Sequence, residues 1–192
     1  MDKKANLFAV FNLNPRESIF IEKAELSQMM KQLQFKLHPD RFSKLSQHEK
    51  DLSSNLSAII NHSYKVLSDD IERWQYFLSL HGFQIDESRN MQPKDMEFLD
   101  EMLELNESLD ALKGLTKSPK SANPTDQKEI DDTYRRVDLM YNEIKENLRR
   151  ALKSDDLKLA FDLLLRIKYL QRLKIDFKEL STDLKAKGFK VM

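Results

Sequence analysis

The residues best equipped for chemistry stand together at His38-Pro39-Asp40. Proline lacks a backbone donor and disfavours the α conformation in the residue before it, so a helix running into Pro39 stops at this tripeptide. The turn then presents an imidazole and a carboxylate side by side between two helices, an arrangement that serves docking as readily as a plain helix stop. Lys31, Lys36, Arg41 and Lys44 lie nearby in sequence, and they either surround Asp40 with positive charge or are ordinary solvated side chains. Other reactive groups are sparse. His48 and His62 are fourteen residues apart, too far to share a metal, and His81 precedes Gly82 where it caps a helix end. The pairs Asp69-Asp70, Asp131-Asp132 and Asp155-Asp156 are expected near helix starts, where the macrodipole favours acids, rather than as paired catalytic carboxylates.

Composition removes whole classes of function. With no cysteine, the sequence has no disulfide, thiolate zinc site, cysteine-ligated cluster or cysteine nucleophile. Its three glycines, Gly82, Gly114 and Gly188, stand too far apart to cradle a phosphate. Thirty-two basic residues balance thirty-two acidic ones, so no global field exists to hold nucleic acid or an anionic membrane. The first residues lead into no apolar signal region, and nowhere do eighteen apolar residues run together. A soluble, cytoplasmic, unprocessed chain is expected. Its 192 residues, 40% hydrophobic and 33% charged, suffice for one medium domain or two small ones.

The elements that position these residues are all helical, because Leu, Lys, Glu, Gln and Met dominate the periodic stretches while Gly and Pro are scarce. Leu7, Phe8, Val10, Phe11 and Leu13 suggest a short helix ending at Asn14-Pro15. Leu26, Met29, Met30, Leu33 and Leu37 mark a second helix from near Glu22 to the Pro39 stop. Ser46 and Glu49 have capping-box spacing and open a third, with Leu52, Leu56, Ile59, Ile60 and Leu67 on one face. Trp74, Phe77, Leu78 and Leu80 form another apolar segment that Gly82 terminates, with Arg73 and Trp74 expected to secure this lobe against the next.

Residues 81–93 form the connector and 94–192 a bundle of three long helices. The first carries Phe98, Met102, Leu105, Leu109 and Leu112 four and three residues apart, followed by a loop from Gly114 to Pro124. Ile130, Tyr134, Val137, Tyr141, Ile144 and Leu148 mark the second, and Ser154-Asp155-Asp156 breaks it and caps the third. There Leu163, Leu170, Phe177 and Leu184 repeat every seven residues, supported by Ala160, Ile167, Leu173 and Leu180. Two apolar sets exceed what these seams require: Leu99 and Leu103, about 100° round from Phe98 and Met102, and Phe161, Leu165 and Tyr169 on the last helix. They are either a docking surface or a widened core face.

Residues 1–80 resemble a J-domain: a short first helix, a basic second helix, His38-Pro39-Asp40, and a third helix with Ile60-Asn61-His62-Ser63-Tyr64 and Val66-Leu67. The stretches from Tyr76 to Phe83 and from Glu97 to Leu105 are similar to the signature of the HscB family of J-type co-chaperones in iron-sulfur cluster assembly, and the resemblance spans nearly the whole chain. Leu37 stands where the family commonly has tyrosine, and without the cysteine-bearing extension and transit peptide of longer eukaryotic relatives in the sequence, a chain of the bacterial type is expected.

The resemblance implies an ATPase-stimulating co-chaperone that is not itself an enzyme, with no cofactor and no metal. Its chaperone-binding residues would be Lys31, Lys36, His38, Pro39, Asp40 and Arg41, facing an HscA-like 70-kDa heat-shock-type chaperone. Its client-binding residues would be Leu99, Leu103, Glu104, Glu107 and Tyr169, facing the scaffold protein IscU. Asp100 and Ala111 depart from the family's pattern, where methionine and glutamate are usual. A J-domain adaptor for an unrelated client, or a helical scaffold with an incidental His-Pro-Asp turn, are the rival expectations.

Overall fold

A computed structural model describes residues 6–36, 46–85, 93–117, 124–186 and 188–189. His38-Pro39-Asp40, with Leu37, Arg41 and Lys44, lies outside the described residues, as do 86–92 and 118–123. All regular structure among the described residues is helical: α1 Leu7–Val10, α2 Lys23–Lys36, α3 Gln47–Leu67, α4 Asp70–Leu80, α5 Met96–Lys117, α6 Pro124–Lys153 and α7 Leu157–Ala186. The chain divides into two compact units, Met1–Gln84 and Ile85–Met192.

In the first unit the apolar N-terminal cluster makes only one helical turn, α1. Asn6 caps it by accepting the Phe8 N–H, and the Leu7 N–H donates to the Tyr76 hydroxyl at 3.0 Å. Phe8 stacks on Tyr76 with ring centroids 5.8 Å apart. Leu26 and Met30 of α2 join Leu7, Phe8, Phe11, Ile60 and Leu67 in a single core. Ser27, near the start of α2, meets the Tyr64 hydroxyl, near the end of α3, at 2.8 Å, so the two helices run antiparallel.

The expected apolar face of α3 is buried only in part. Ile60 and Leu67 are in the core, while Leu52, Leu56 and Ile59 are 48%, 47% and 41% exposed. The reason is coverage. The core that α1, α2 and α3 share meets α3 only from Ile60 onward, leaving its N-terminal half with less to pack against. Leu80 of α4 is likewise exposed.

Arg73 and Trp74 both find partners inside their own unit. Arg73 Nε and Trp74 Nε1 donate to the Ile19 carbonyl at 2.8 and 3.1 Å, and Arg73 also bonds the Leu67 carbonyl and the Asp70 carboxylate. The buried guanidinium thereby ties the segment before α2 and the end of α3 to α4, satisfying carbonyls that would otherwise be stranded away from water.

In the second unit α5, α6 and α7 pack pairwise, with α6 and α7 in the most extensive contact. Their seams converge as the periodicity requires: Phe98, Met102, Leu105, Leu109 and Leu112 meet Ile130 and Val137 and the Leu170, Leu173, Phe177, Leu180 and Leu184 face of α7. Tyr141 and Ile144 are only partly buried against this core. Two boundaries differ from expectation. α5 runs through Gly114 to Lys117, since Leu112 and Leu115 on either side keep packing on the core and outweigh the low helix propensity of one glycine. α6 begins at Pro124, a residue preformed for the first helical position, so Asp131-Asp132 falls two turns inside the helix rather than at its start. Asp156 accepts the Leu159 N–H at 3.0 Å and starts α7 as expected, after Asp155 has turned the chain at φ 62°.

Two predictions follow from the caps. At the end of α4, Gly82 has φ +87°, and its N–H and that of Phe83 bond the Ser79 and Leu78 carbonyls, a Schellman closure. An added Cβ would meet nothing within 4 Å, so Gly82→Ala is expected to destabilise the fold by backbone strain alone, about 1 to 2 kcal/mol in a denaturant melt. At the start of α3, Ser46 and Glu49 form the capping box, and the Ser46 donors hold the Glu49 carboxyl below its ordinary range. A depressed folded pKa means a contribution present above the unfolded value and lost as pH falls through the folded one. The protection factors of the first amides of α3, corrected for intrinsic exchange, are therefore expected to fall as the pH drops below the ordinary glutamate range.

Candidate functional site

Turning inward, the α5 seam leaves the opposite side of the helix to solvent. At about 100° per residue, the order round that outward side is Leu99, Leu103, Glu107, Glu104. Leu99 is half-buried at the edge of the core, whereas Leu103 is 59% exposed and Glu104 and Glu107 are exposed. Met96, seven residues before Leu103, stands on the same side and is 68% exposed. Two large apolar side chains held in water among Asp100, Glu104 and Glu107 form an apolar and acidic surface that the fold itself does not need.

The two flanks of α5 are tied differently. On the Leu99 side, Arg166 of α7 pairs with Asp95 at 2.8 Å. On the Glu104 side, Arg136 of α6 pairs with Glu104 at 2.9 Å and Glu101 at 3.4 Å. The bond from Glu104, chiefly, raises the Arg136 pKa above its ordinary value. Tyr169 of α7, partly exposed, sets its ring edge-on to Phe98 with centroids 6.3 Å apart. The structure thus brings Tyr169 to the Leu99 flank, while Glu104 lies across the outward side and is already engaged by Arg136. Of the surplus set on α7, Leu165 is buried, and the exposed member is Tyr169.

Met96 and Arg136 were not singled out from the sequence. The seven-residue step from Met96 to Leu103 was the available signal for the first. None existed for Arg136, because its partners lie on another helix.

Lys31 and Lys36 of α2 are both exposed, with Phe35 between them in sequence and 66% exposed. They are the members of the chaperone-binding set among the described residues; His38, Pro39, Asp40 and Arg41 lie outside them. The other described histidines stand apart from one another on α3 and at the end of α4. His48 and His62 are exposed, and His81 Nδ1 lies 2.9 Å from the Phe77 carbonyl, its ring against Phe77, at the C-cap of α4. Among the described residues no three acids or histidines cluster to hold a metal ion, and no helix is long and apolar enough to cross a membrane.

Comparison with known proteins gives this surface its context. A family profile described as the HSCB C-terminal oligomerisation domain matches residues 94–178. The human iron-sulfur cluster co-chaperone protein HscB is 31% identical over 90% of this chain and 67% of that protein, and the mouse protein of the same name is 28% identical over 95% and 72%. The crystal structure of the human co-chaperone superposes with a TM-score of 0.76 at 29% identity, covering 94% of this chain and 84% of that one. The chaperone HscB from Vibrio cholerae gives 0.74 at 24% identity over 93% and 99%, a likeness of fold. N-terminal helices followed by a helical bundle, with these relatives, define a J-type co-chaperone. The chain belongs to the HscB family.

Exposure separates the surface residues from the core by their effect on stability. Leu103→Ala is expected to change unfolding free energy by less than about 0.5 kcal/mol, as surface substitutions do. Leu99→Ala, half-buried, is expected to cost roughly 1 to 2 kcal/mol and Met102→Ala about 2 to 5 kcal/mol, measured in parallel urea melts.

Proposed function

We propose that this chain stimulates the ATPase of an HscA-like 70-kDa heat-shock-type chaperone and delivers an IscU-like scaffold protein to it during iron-sulfur cluster assembly and transfer, in the cytoplasm. Residues 1–80 act as the J-domain, 81–93 as the connector and 94–192 as the client-binding bundle. The observation that carries the client half is the outward side of α5, where Met96 and Leu103 stand exposed among carboxylates with Tyr169 nearby, in a chain of the HscB family. A surface of that composition suits a partner with an apolar patch bordered by basic residues.

The chaperone half works through charge. Asp40 pairs with an arginine at the junction of the chaperone's nucleotide-binding domain and interdomain linker, biasing the chaperone toward its hydrolysis-competent state. His38 and Pro39 hold the turn that presents it, and Lys31, Lys36 and Arg41 add a positive field that speeds encounter with an acidic face. The chain performs no bond chemistry itself. Because one polypeptide holds both partners, the scaffold meets the chaperone at a raised effective concentration.

Asp40→Asn is expected to abolish ATPase stimulation while leaving helicity and melting unchanged, since a loop carboxylate contributes charge rather than packing. The same variant is expected to bind the scaffold with the affinity of the unaltered chain, and Leu103→Ala to bind it about tenfold more weakly, roughly 1.4 kcal/mol. Full stimulation by Asp40→Asn would refute the chaperone half of the proposal.

A further inference from the structure

Arg166 gathers partners from two helices. Its Nη1 lies 2.8 Å from Asp95, its Nε and Nη2 donate to Asp162 at 3.1 and 2.7 Å, and its guanidinium stands 5.6 Å from the centre of the Phe98 ring. Asp95 in turn opens α5, its Oδ1 accepting the Phe98 N–H at 3.2 Å. That bond first, and the Arg166 charge after it, hold the Asp95 carboxyl below its ordinary range. Phe98 is therefore fixed at its backbone by Asp95, covered on its ring by Arg166, and met on its ring by Tyr169, one turn further along α7.

The location matters because α5 packs on α6 and α7 less extensively than those two pack on each other. Apolar contact resists separation of helices but tolerates rotation, whereas a planar fork that joins two carboxylates and lies by a ring sets an angle. The Arg166 side chain is 20% exposed, against 43% for Arg136 on the other flank, so it is the better shielded of the two ties.

We propose that Arg166 is a positioning residue for the client surface: by locking the start of α5 to α7 beside the Phe98 ring, it sets the rotation of α5 that aligns Leu99 and Leu103 with Tyr169. This rests on the client-binding role proposed above for that surface.

The test uses the full chain and an IscU-like scaffold, with affinity read by calorimetry and fold by circular dichroism. Arg166→Gln is expected to weaken binding about tenfold with helicity and scaffold-free ATPase stimulation unchanged. Arg166→Lys, which keeps one charge but cannot fork between Asp95 and Asp162, is expected to recover part of the loss. Asp95→Asn preserves a cap acceptor for Phe98 and is expected to reproduce the Arg166→Gln loss, so it carries the test if Arg166→Gln fails to fold.

Coupling separates positioning from general support: in a Tyr169→Ala background, removing Arg166 is expected to add little further loss. Wild-type affinity in a folded Arg166→Gln or Asp95→Asn chain, or a loss fully additive with Tyr169→Ala, overturns the positioning role. Leu103→Ala then tells which claim has failed. If it weakens binding, the client surface stands without Arg166; if it binds unchanged, the surface and the positioning role are withdrawn together.

Discussion

The second unit depends on one apolar stripe, the face of α7 that runs from Ala160 through Ile167, Leu170, Leu173 and Phe177 to Leu184. α6 lies along it and α5 rests on what remains. Burial at about 25 cal/mol per Å² makes that stripe the dominant attraction, but it has little directional content. Rotation and height are left to polar ties at the margins: Arg166 with Asp95, Arg136 with Glu101 and Glu104, and Lys174 with Asp138 at 2.6 Å. Lys174 also stands 4.5 Å from the centre of the Tyr141 ring, which keeps a half-buried aromatic covered. A helix held in this way can spare its outward side, and on α5 that side carries apolar groups among acids without weakening the core beneath.

The first unit uses a different device. Its apolar core is short, and the segment between α1 and α2 has no regular structure to carry its carbonyls. Arg73 and Trp74 supply the missing donors to Ile19, and Tyr76 supplies both a ring for Phe8 and an acceptor for Leu7. Three residues of α4 thus organise much of what precedes them, and the N-terminal half of α3 extends beyond the core. The exposed Leu52, Leu56 and Phe35 lie in those extended parts of α3 and α2.

Helix type and seam residues were legible in the sequence because a long helix repeats its demand for apolar groups every three or four positions. Phe98 to Leu112 and Ala160 to Leu184 are buried as their spacing requires. The α3 face was legible as a pattern but not as burial, since periodicity does not reveal how far α1 and α2 reach along it. Gly114 misled because glycine marks a boundary only where φ must be positive, as at Gly82. In the candidate site, Leu103 and Tyr169 could be read as surplus to their seams. Arg136 and Arg166 could not, because their partners Glu104 and Asp95 stand 32 and 71 residues away in sequence. His38-Pro39-Asp40 lies outside the described residues, so its reading is carried by sequence and family.

The central claim is that one chain both triggers a chaperone and brings it a client. The most direct measurement titrates the intact chain into an HscA-like ATPase with and without an IscU-like scaffold. The account predicts saturable stimulation by the chain alone and a further, cooperative rise when the scaffold is present. An unchanged hydrolysis rate at saturating chain, or a scaffold effect of the same size when the chain is omitted, would contradict it.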